Sequence, residues 1–357
     1  MIITDCFERL VSYMKTNFCK RLFRTVCMLA GISALVCTGC GLSSRTSAPI
    51  QRTDFLMSTF VDIKIYDSDD TTILDDAIAL CKDYESRFSR TIETSEIYQL
   101  NHRPSGQQTF LLSDETAELL RTALTFCECS NGAFDITIEP VSSLWDFTSG
   151  NAILPDSDAI SEKIARVGYE NLQLDGNTLT FLSPDTTLDL GAIAKGYIAD
   201  QVRDFLLESG VESAVINLGG NVLCVGEKPD GSPFKIGLQK PFAEHSETFA
   251  TVSVSDLSVV TSGVYERHFE LDGRNYHHIL DPRTGYPYDN GLISVTILSE
   301  DSVDGDGLST TCFSLGLEKG LELVNSMDGI YACFIDDQYE IHYSDGMEKF
   351  VTAEGEN

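Results

Sequence analysis

The chain has 357 residues, of which 42% are apolar and 22% charged, so it can bury a sizeable core and is not a disordered composition. Its formal net charge of -30 argues against nucleic acid and anionic lipid headgroups as partners. An anionic substrate would therefore need local positive side chains or a bound cation.

The cysteines do not form a recognisable framework. Of eleven, five lie in the first 40 residues, and the others are scattered without a Cys-x-x-Cys pair. Most of the scattered ones have apolar neighbours, where free cysteine behaves as a small hydrophobic residue. A disulfide scaffold or a zinc site is therefore not expected.

The N-terminus has the pattern of an export signal. Basic residues follow Met14, the preferred true start, and precede an apolar run from Val26 to Val36 that is too short to span a bilayer of roughly 30 Å. The Gly-Cys pair ending at Cys40 resembles the lipobox of bacterial lipoproteins. Residues 1–39 are thus predicted to be a lipoprotein signal peptide, with a lipid such as palmitate on the sulfur of Cys40 and a polar tether over residues 40–53. A plain secretory signal or an uncleaved anchor is the alternative.

Beyond the tether, the hydrophobic patterns predict helices and strands mixed along the whole chain. Strand residues are expected within 55–66, at 172, 179, 214–222, 248–254, 258–261 and 292–298, in a hairpin of 267–271 with 274–280, and at 331 and 340. Helices are expected at 72–88, 113–131, 156–167, 190–210, 304–315 and up to 325. Such mixing favours one compact α/β unit over two separable domains.

The stretch from Thr187 to Asp200 is the first candidate site. It is predicted to be a short strand ending at Asp189, a Gly-Ala turn and a helix with Lys195 in its first turns. Unpaired N–H groups at a helix start attract anions such as phosphate. Lys195 would add positive charge, and Asp189 would accept from a sugar hydroxyl or a base edge. A buried turn in which glycine merely permits close packing is an equally good interpretation.

Asp306 and Thr310 form the second candidate site, because residues four apart share one face of a helix. A carboxylate and a hydroxyl are hard ligands suited to Mg²⁺. A capping arrangement is the alternative. Gly305 and Gly307 are expected to loosen the helix start, which leaves Asp304 as another possible ligand or cap.

His277 and His278 end the second strand of the predicted hairpin. Adjacent strand residues point to opposite faces, so at most one of them faces a given site. A neutral imidazole there could act as a general base toward a hydroxyl. A histidine hydrogen-bonded within the turn is the alternative.

These motifs together make the sequence resemble the ApbE family, the FAD:protein FMN transferases. The matching segments occur in order at 56–59, 95–97 with Asn101, 132–135, 144–145, 189–196, 217–221, 261–263, 278–285 and 306–310. The resemblance implies an α/β domain over residues 54–345, two-lobed and T-fold-like with largely antiparallel sheets, followed by an acidic tail at 346–357.

The resemblance also implies a site. Mg²⁺ would bridge the FAD diphosphate, held by the main-chain oxygen of Ala192 and by Asp306 and Thr310, with Ser309 as a weaker candidate. FAD contacts would fall on Met57, Ala133, Phe134, Asp135, Asp189, Lys195 and Leu280. His278 matches the histidine proposed to deprotonate the acceptor threonine.

The implied reaction is transfer of FMN from FAD to a threonine of a target protein, with AMP as leaving group. Acceptors would be extracytoplasmic flavoproteins such as subunits of membrane redox pumps, and the enzyme would be lipid-anchored on the outer face of the bacterial cell membrane. Two alternatives are an Mg²⁺-dependent FAD pyrophosphatase and a flavin-binding lipoprotein without turnover.

Overall fold

A computed structural model describes residues 48–244 and 247–353. The predicted signal peptide, the predicted start at Met14 and the predicted lipidation site Cys40 lie outside the described residues. Within the described residues, no helix combines the length and apolar character needed to cross a bilayer.

The α-helices of the described residues are α1 (Thr71–Phe88), α2 (Glu96–Asn101), α3 (Asp114–Cys129), α4 (Glu139–Ser142), α5 (Ser157–Ile164), α6 (Ala194–Glu208), α7 (Ser302–Leu315) and α8 (Leu317–Asn325). The strands are β1 (Ile50–Leu56), β2 (Thr59–Ile65), β3 (Thr109–Leu111), β4 (Leu172–Asp175), β5 (Thr178–Phe181), β6 (Ala214–Leu218), β7 (Asn221–Val225), β8 (Phe234–Gln239), β9 (Thr248–Val254), β10 (Ser258–Gly263), β11 (His268–Leu271), β12 (Arg274–His277), β13 (Leu292–Ser299), β14 (Tyr331–Asp336), β15 (Ile341–Tyr343) and β16 (Val351–Ala353).

One large sheet organises the fold. Its eight strands follow the order β1-β2-β6-β7-β10-β13-β14-β15, and every neighbouring pair is antiparallel. Smaller antiparallel sheets are β16-β9-β8, β3-β5-β4 and the hairpin β11-β12. This mixed α/β architecture with antiparallel sheets confirms the predicted fold class.

The large sheet is covered on both faces. On one face, apolar residues that alternate along β2, such as Val61 and Ile63, pack against the helices in the main core. On the other face, Cys224, Val259 and Leu298 pack against the sheet of β8, β9 and β16. Because both faces are covered, the central strand β13 is buried along its whole length.

The predicted domain limits differ from the structure at both ends. Residues 50–53 of the predicted tether belong to β1, which pairs with β2 throughout its length. Within the predicted acidic tail, Val351–Ala353 forms β16, which pairs with β9. Strand pairing therefore extends the folded domain past residue 54 at its start and past residue 345 at its end.

The strand predicted to end at Asp189 is absent among the assigned strands of the described residues. The amide side chain of Asn101 replaces a neighbouring strand: its Oδ1 accepts from Leu188 N at 2.7 Å, and its Nδ2 donates to Leu188 O at 2.8 Å. Asp189 N donates to Ile136 O at 2.8 Å. The Asn101 side chain and the bond to Ile136 O thus hold the segment extended without a neighbouring strand. Hydrophobic periodicity gives no information about such contacts.

Helices α6 and α7 are joined at their ends. The buried carboxylate of Asp200 in α6 accepts from the N–H groups of Ser302 and Val303, both at 2.9 Å, so it caps α7, which has no capping side chain of its own. Arg203 bonds Asp200 at 3.0 Å and Asp301 at 3.3 Å. At Gly196 a Cβ would lie 2.3 Å from Ser302 O, so the close approach requires glycine.

Replacing Asp200 with asparagine should lower the free energy of unfolding by about 3 kcal/mol, because Arg203 would lose its main partner and one α7 N–H would face an amide N–H. Urea denaturation measures the change. Asp204→Asn is the matched control: Asp204 also bonds Arg203, at 3.2 Å, but its side chain is 43% exposed, so its loss should change stability by less than about 1 kcal/mol. Equal losses of unfolding free energy in the two variants would show that the Asp200 cap of α7 does not contribute to stability.

Candidate functional site

The start of α6 meets a carboxylate from α7. In a regular helix Gly196 N–H would bond to Ala192 O, but here it donates to Asp306 Oδ2 at 2.9 Å. The first predicted site and the second are therefore one site. The anion at this helix start is a protein side chain, where the sequence pattern predicted a phosphate.

Diverting that hydrogen bond leaves Ala192 O without its helical partner. Ala192 is half-buried in the turn before α6, and Gly196 holds the Asp306 carboxylate beside the same turn. A main-chain oxygen of the turn and a carboxylate of α7 are therefore connected through Gly196. Both are oxygen ligands of the kind that Mg²⁺ takes.

Lys195 supplies positive charge to the same place. Its Nζ lies 3.6 Å from Asp306 Oδ1, and its side chain is 25% exposed while that of Asp306 is 5% exposed. A buried carboxylate needs such a partner, because desolvation otherwise disfavours its charge. The exposed part of the ammonium group leaves it free to meet a second anion from solvent.

Thr310 follows Asp306 by one helical turn and is half-buried. Its Oγ1 lies 3.2 Å from the Oγ of Ser262, at the end of β10, and Ser262 Oγ lies 2.9 Å from Ser309 Oγ. Asp306 and Thr310 thus share one face of α7, and Gly196 ties Asp306 to the helix start that follows the turn at Ala192.

Gly305 and Gly307 lie where a side chain would not fit, a packing role that their helix propensity does not indicate. A Cβ at Gly307 would lie 2.5 Å from the Phe126 ring, and one at Gly305 would lie 2.8 Å from Ser299 Oγ. The glycines let the helix pack closely between α3 and the sheet. Because a helix turns about 100° per residue, Asp304 points away from the face shared by Asp306 and Thr310.

Asp189 is fixed by three donors. Its Oδ1 accepts from Gly191 N at 3.0 Å, and its Oδ2 accepts from Ser142 Oγ at 2.8 Å and from Arg90 Nε at 3.2 Å. The carboxylate is 20% exposed, so it can still accept from a ligand. Sequence reasoning missed Arg90 and Ser142, which lie far from Asp189 in the chain.

The segment 133–135 is anchored by its own side chains. Phe134 lies in the main core beside Phe126, and Asp135 accepts from Thr137 and from Tyr169 N. The pKa of Asp135 is raised by burial. Because these side chains are committed to the fold, their contact with a flavin nucleotide would be made chiefly by the main chain.

Ala133 and Leu280 are tied to the loop that follows β12. Ala133 O accepts from Tyr288 Oη at 2.9 Å, and Leu280 forms a bridge with Pro287. The side chain of Leu280 is 7% exposed and packs in a small core with Trp145 and Phe269. The predicted contacts 133–135 and 280 thus belong to neighbouring loops.

Met57 occupies the two-residue turn between β1 and β2, with a positive φ of 52°. Its N–H donates to Glu85 Oε1 of α1 at 2.6 Å, and its side chain is half-buried against the main core. These contacts fix Met57 in position on the turn between β1 and β2.

The two histidines have different environments, as the strand alternation predicts. His277 is satisfied within the turn: its Nε2 lies 3.0 Å from Tyr288 O, to which it must donate, and its Nδ1 accepts from Ile279 N at 3.3 Å. His278 Nδ1 is buried and has no hydrogen-bond partner. Burial, followed by repulsion from Arg267, from His277 when that ring is protonated, and from Lys195, lowers the pKa of His278 to about 3, so its ring is neutral.

Glu266 and Arg267 belong to the same charged group, although no motif in the sequence singled them out. Desolvation by the surrounding protein atoms raises the pKa of Glu266, although the residue keeps exposed surface; Lys195 and Arg267 oppose that rise, and Asp306 adds to it. The loop after β10 therefore brings charge close to both Lys195 and His278. In the sequence, the only sign that this loop lies near the site is that it directly follows the Thr-Ser-Gly segment at 261–263.

A group of three potential metal ligands lies elsewhere, on the β14–β15 hairpin. Asp336, Glu340 and His342 have ligand atoms within 4.8 Å of one another. Asp336 already accepts from His342 Nε2 at 2.7 Å and from Glu340 N at 2.9 Å. These bonds explain the arrangement as a hairpin closure, and we assign no ion to it.

Comparisons with known proteins agree on one family. The model of the ApbE family matches residues 57–335. The FAD:protein FMN transferase of Klebsiella pneumoniae is 40% identical over 80% of this chain and 89% of its own length, and that of Treponema pallidum is 31% identical over 91% and 96%. Among solved structures, the ApbE protein of Thermotoga maritima has a TM-score of 0.77 at 31% identity, covering 85% of this chain and 99% of its own. The flavin transferase ApbE of Vibrio cholerae has a TM-score of 0.75 at 27% identity over 85% and 99%.

His277→Gln should make stability less sensitive to acid, since glutamine keeps an N–H donor for Tyr288 O. Burial lowers the pKa of His277 to about 4, so below pH 6.5 the unfolded chain binds a proton that the native state does not. The free energy of unfolding then falls by up to about 1.4 kcal/mol per pH unit until the pH reaches the native pKa. Urea denaturation at pH 7.5 and pH 4.5 should show a smaller loss in the variant than in the wild type. His278 contributes equally to the pH dependence of stability in both proteins. Identical losses of unfolding free energy between pH 7.5 and pH 4.5 would therefore contradict a buried, neutral His277.

Proposed function

The chain belongs to the ApbE family, and on that premise we propose that it is an Mg²⁺-dependent enzyme that transfers the FMN part of FAD to a threonine hydroxyl of a target protein and releases AMP. The observation that carries the proposal is the hydrogen bond from Gly196 N to Asp306 Oδ2 at 2.9 Å. This bond joins the start of α6, which carries Lys195 and follows the turn at Ala192, to Asp306 of α7, and so supports a shared site.

The residues present fit a hard divalent cation. Ala192 O lacks its helical partner, Asp306 offers a buried carboxylate, and Thr310 offers a hydroxyl one turn further on. These groups would hold Mg²⁺, leaving the remaining positions to water and substrate oxygens. When bound, the cation would neutralise diphosphate charge during phosphoryl transfer.

The protein side chains supply the remaining positive charge. This matters because a chain of net charge -30 would otherwise repel FAD. Lys195, partly exposed beside Asp306, can reach a diphosphate oxygen, and Arg267 lies near enough to His278 to lower its pKa. Asp189, held by Arg90 and Ser142, is placed to accept from an FAD hydroxyl or base edge.

His278 is the proposed general base. Its ring is neutral and only partly buried, so it can accept the proton of the threonine hydroxyl. The threonine oxygen bonds to the phosphorus on the FMN side, the bond from that phosphorus to the bridging oxygen breaks, and AMP leaves with that oxygen. A bound diphosphate would offset the positive charges of Lys195 and Arg267 and so strengthen the base.

We further propose an extracytoplasmic location, with the chain attached to the membrane through a lipid on Cys40. The support is the sequence around residues 14–40, which has the order of charges, apolar run and Gly-Cys pair of a lipoprotein signal. Exported flavoproteins with a Ser/Thr-Gly-Ala-Thr-like segment, such as redox-pump subunits, would then be the acceptors.

Asp306→Ala should reduce flavin transfer by at least about 100-fold, because the cation would lose its only side-chain carboxylate among the proposed ligands. The assay incubates the protein with FAD, Mg²⁺ and an acceptor domain carrying the threonine motif, and measures covalent flavin fluorescence on a denaturing gel together with AMP. Glu318→Gln, an exposed carboxylate on α8, is the control and should retain activity.

The same assay separates the alternatives. FMN and AMP released without covalent flavin would indicate a pyrophosphatase. FAD binding without any AMP would indicate a flavin-binding protein. Full activity of Asp306→Ala would contradict the cation site itself.

His278→Ala should lower the rate of transfer at saturating FAD by about 100-fold or more, while the dissociation constant of FAD changes less than about threefold. Stopped-flow or gel kinetics give the rate, and flavin fluorescence titration gives the affinity. His277→Gln serves as the matched control, since its ring is engaged by Tyr288 and Ile279. Equal losses of rate and affinity in His278→Ala would rule out the role as base.

A further inference from the structure

Three hydroxyl groups, two of them buried, are linked by hydrogen bonds next to the proposed cation site. Ser262 Oγ, on β10, lies 2.9 Å from Ser309 Oγ and 3.2 Å from Thr310 Oγ1, both on α7. Ser309 is fully buried and Ser262 is 9% exposed. Ser309 Oγ also donates to the main-chain oxygen of Asp306 at 3.0 Å.

The direction of each hydrogen bond follows from counting protons. A carbonyl oxygen can only accept, so the single proton of Ser309 is engaged by Asp306 O. The contact between Ser262 and Ser309 must therefore use the proton of Ser262. Ser262 then has no proton left, so Thr310 must donate to Ser262.

This direction matters for Thr310 because a hydroxyl binds a cation through its lone pairs. With its proton held by Ser262, Thr310 Oγ1 keeps its lone pairs for the side where Asp306 lies. If the proton were free to rotate, it could point toward the cation and repel it. The chain Thr310 to Ser262 to Ser309 to Asp306 O thus sets the orientation of one ligand.

We propose that Ser262 is a positioning residue of the cation site, which fixes the Thr310 hydroxyl with its proton turned away from the ion. The proposal rests on the function proposed above, since it assumes that Thr310 is a ligand. It also assigns the side chain of Ser309 a different role from the weaker metal ligand that the sequence suggested. The Ser309 hydroxyl accepts a hydrogen bond from Ser262 and donates its own to the main-chain oxygen of Asp306.

Ser262→Ala should weaken binding of Mg²⁺ to the full chain about tenfold, the lower end of the range for residues that orient metal ligands. Isothermal titration calorimetry with Mg²⁺ or Mn²⁺ in the absence of FAD measures the affinity without using activity. Ser262→Thr keeps a hydroxyl and should restore affinity to within about threefold. Thr261→Val is the matched control: it removes a hydroxyl from the opposite face of β10, where Thr261 contacts Thr296 at 2.8 Å, and should leave affinity unchanged.

A double-mutant cycle shows whether Ser262 acts through Thr310. In a Thr310→Val background, adding Ser262→Ala should cause no further loss of affinity, because the ligand that Ser262 orients is already gone. A tenfold loss that persists in that background would overturn the proposal. Wild-type affinity in Ser262→Ala would overturn it as well.

Ser309→Ala provides a second test if Ser262→Ala does not fold, as judged by circular dichroism. Without Ser309 to accept it, the proton of Ser262 can turn toward Thr310 and occupy a lone pair, so affinity should fall several-fold. Unchanged affinity in this variant would contradict the proton chain. A wild-type protein that binds no divalent cation would instead refute the cation site of the proposed function, which separates the two failures.

Discussion

The contact between the start of α6 and the side of α7 is the constraint on which the site depends. Gly196 has no side chain, so the two helices approach closely enough for its N–H to bond the Asp306 carboxylate, and Asp200 caps α7 from the other helix. Groups 110 residues apart in sequence thereby become neighbours. A larger side chain at position 196 would collide with Ser302 O and move the start of α6 away from Asp306.

The charged side chains of the site bear on how so acidic a chain could bind an anionic substrate. With a net charge of -30, the protein has few positive groups to spare for an anionic substrate. The positive side chains near the site, Lys195 and Arg267, stand beside the acidic Asp306 and Glu266 and next to a neutral His278. The proposed binding of a cation together with a diphosphate calls for such a mixture, because each would compensate charge that the other would leave unpaired.

Sequence reasoning predicted the fold class, the hairpin around Asp272 and Gly273, and the helices that bear Lys195 and Asp306, because those features depend on local periodicity and turn residues. It erred where side chains from distant parts of the chain replace regular structure. The segment before Asp189 is held extended by Asn101, and Gly305 and Gly307 serve close packing with Phe126 and Ser299. Propensity alone carries no information about such neighbours.

The order of short motifs along the chain determined by itself which family the protein belongs to and which residue types can carry the chemistry. Only the tertiary structure decided how those residues are used: that the α6 start binds a carboxylate, that His277 is engaged while a nitrogen of His278 is not, and that Ser262 stands behind Thr310. The physical reason is that a hydrogen bond depends on distance and direction in space. Those are fixed by the packing of helices onto the sheet, and residues close in space here are mostly far apart in sequence.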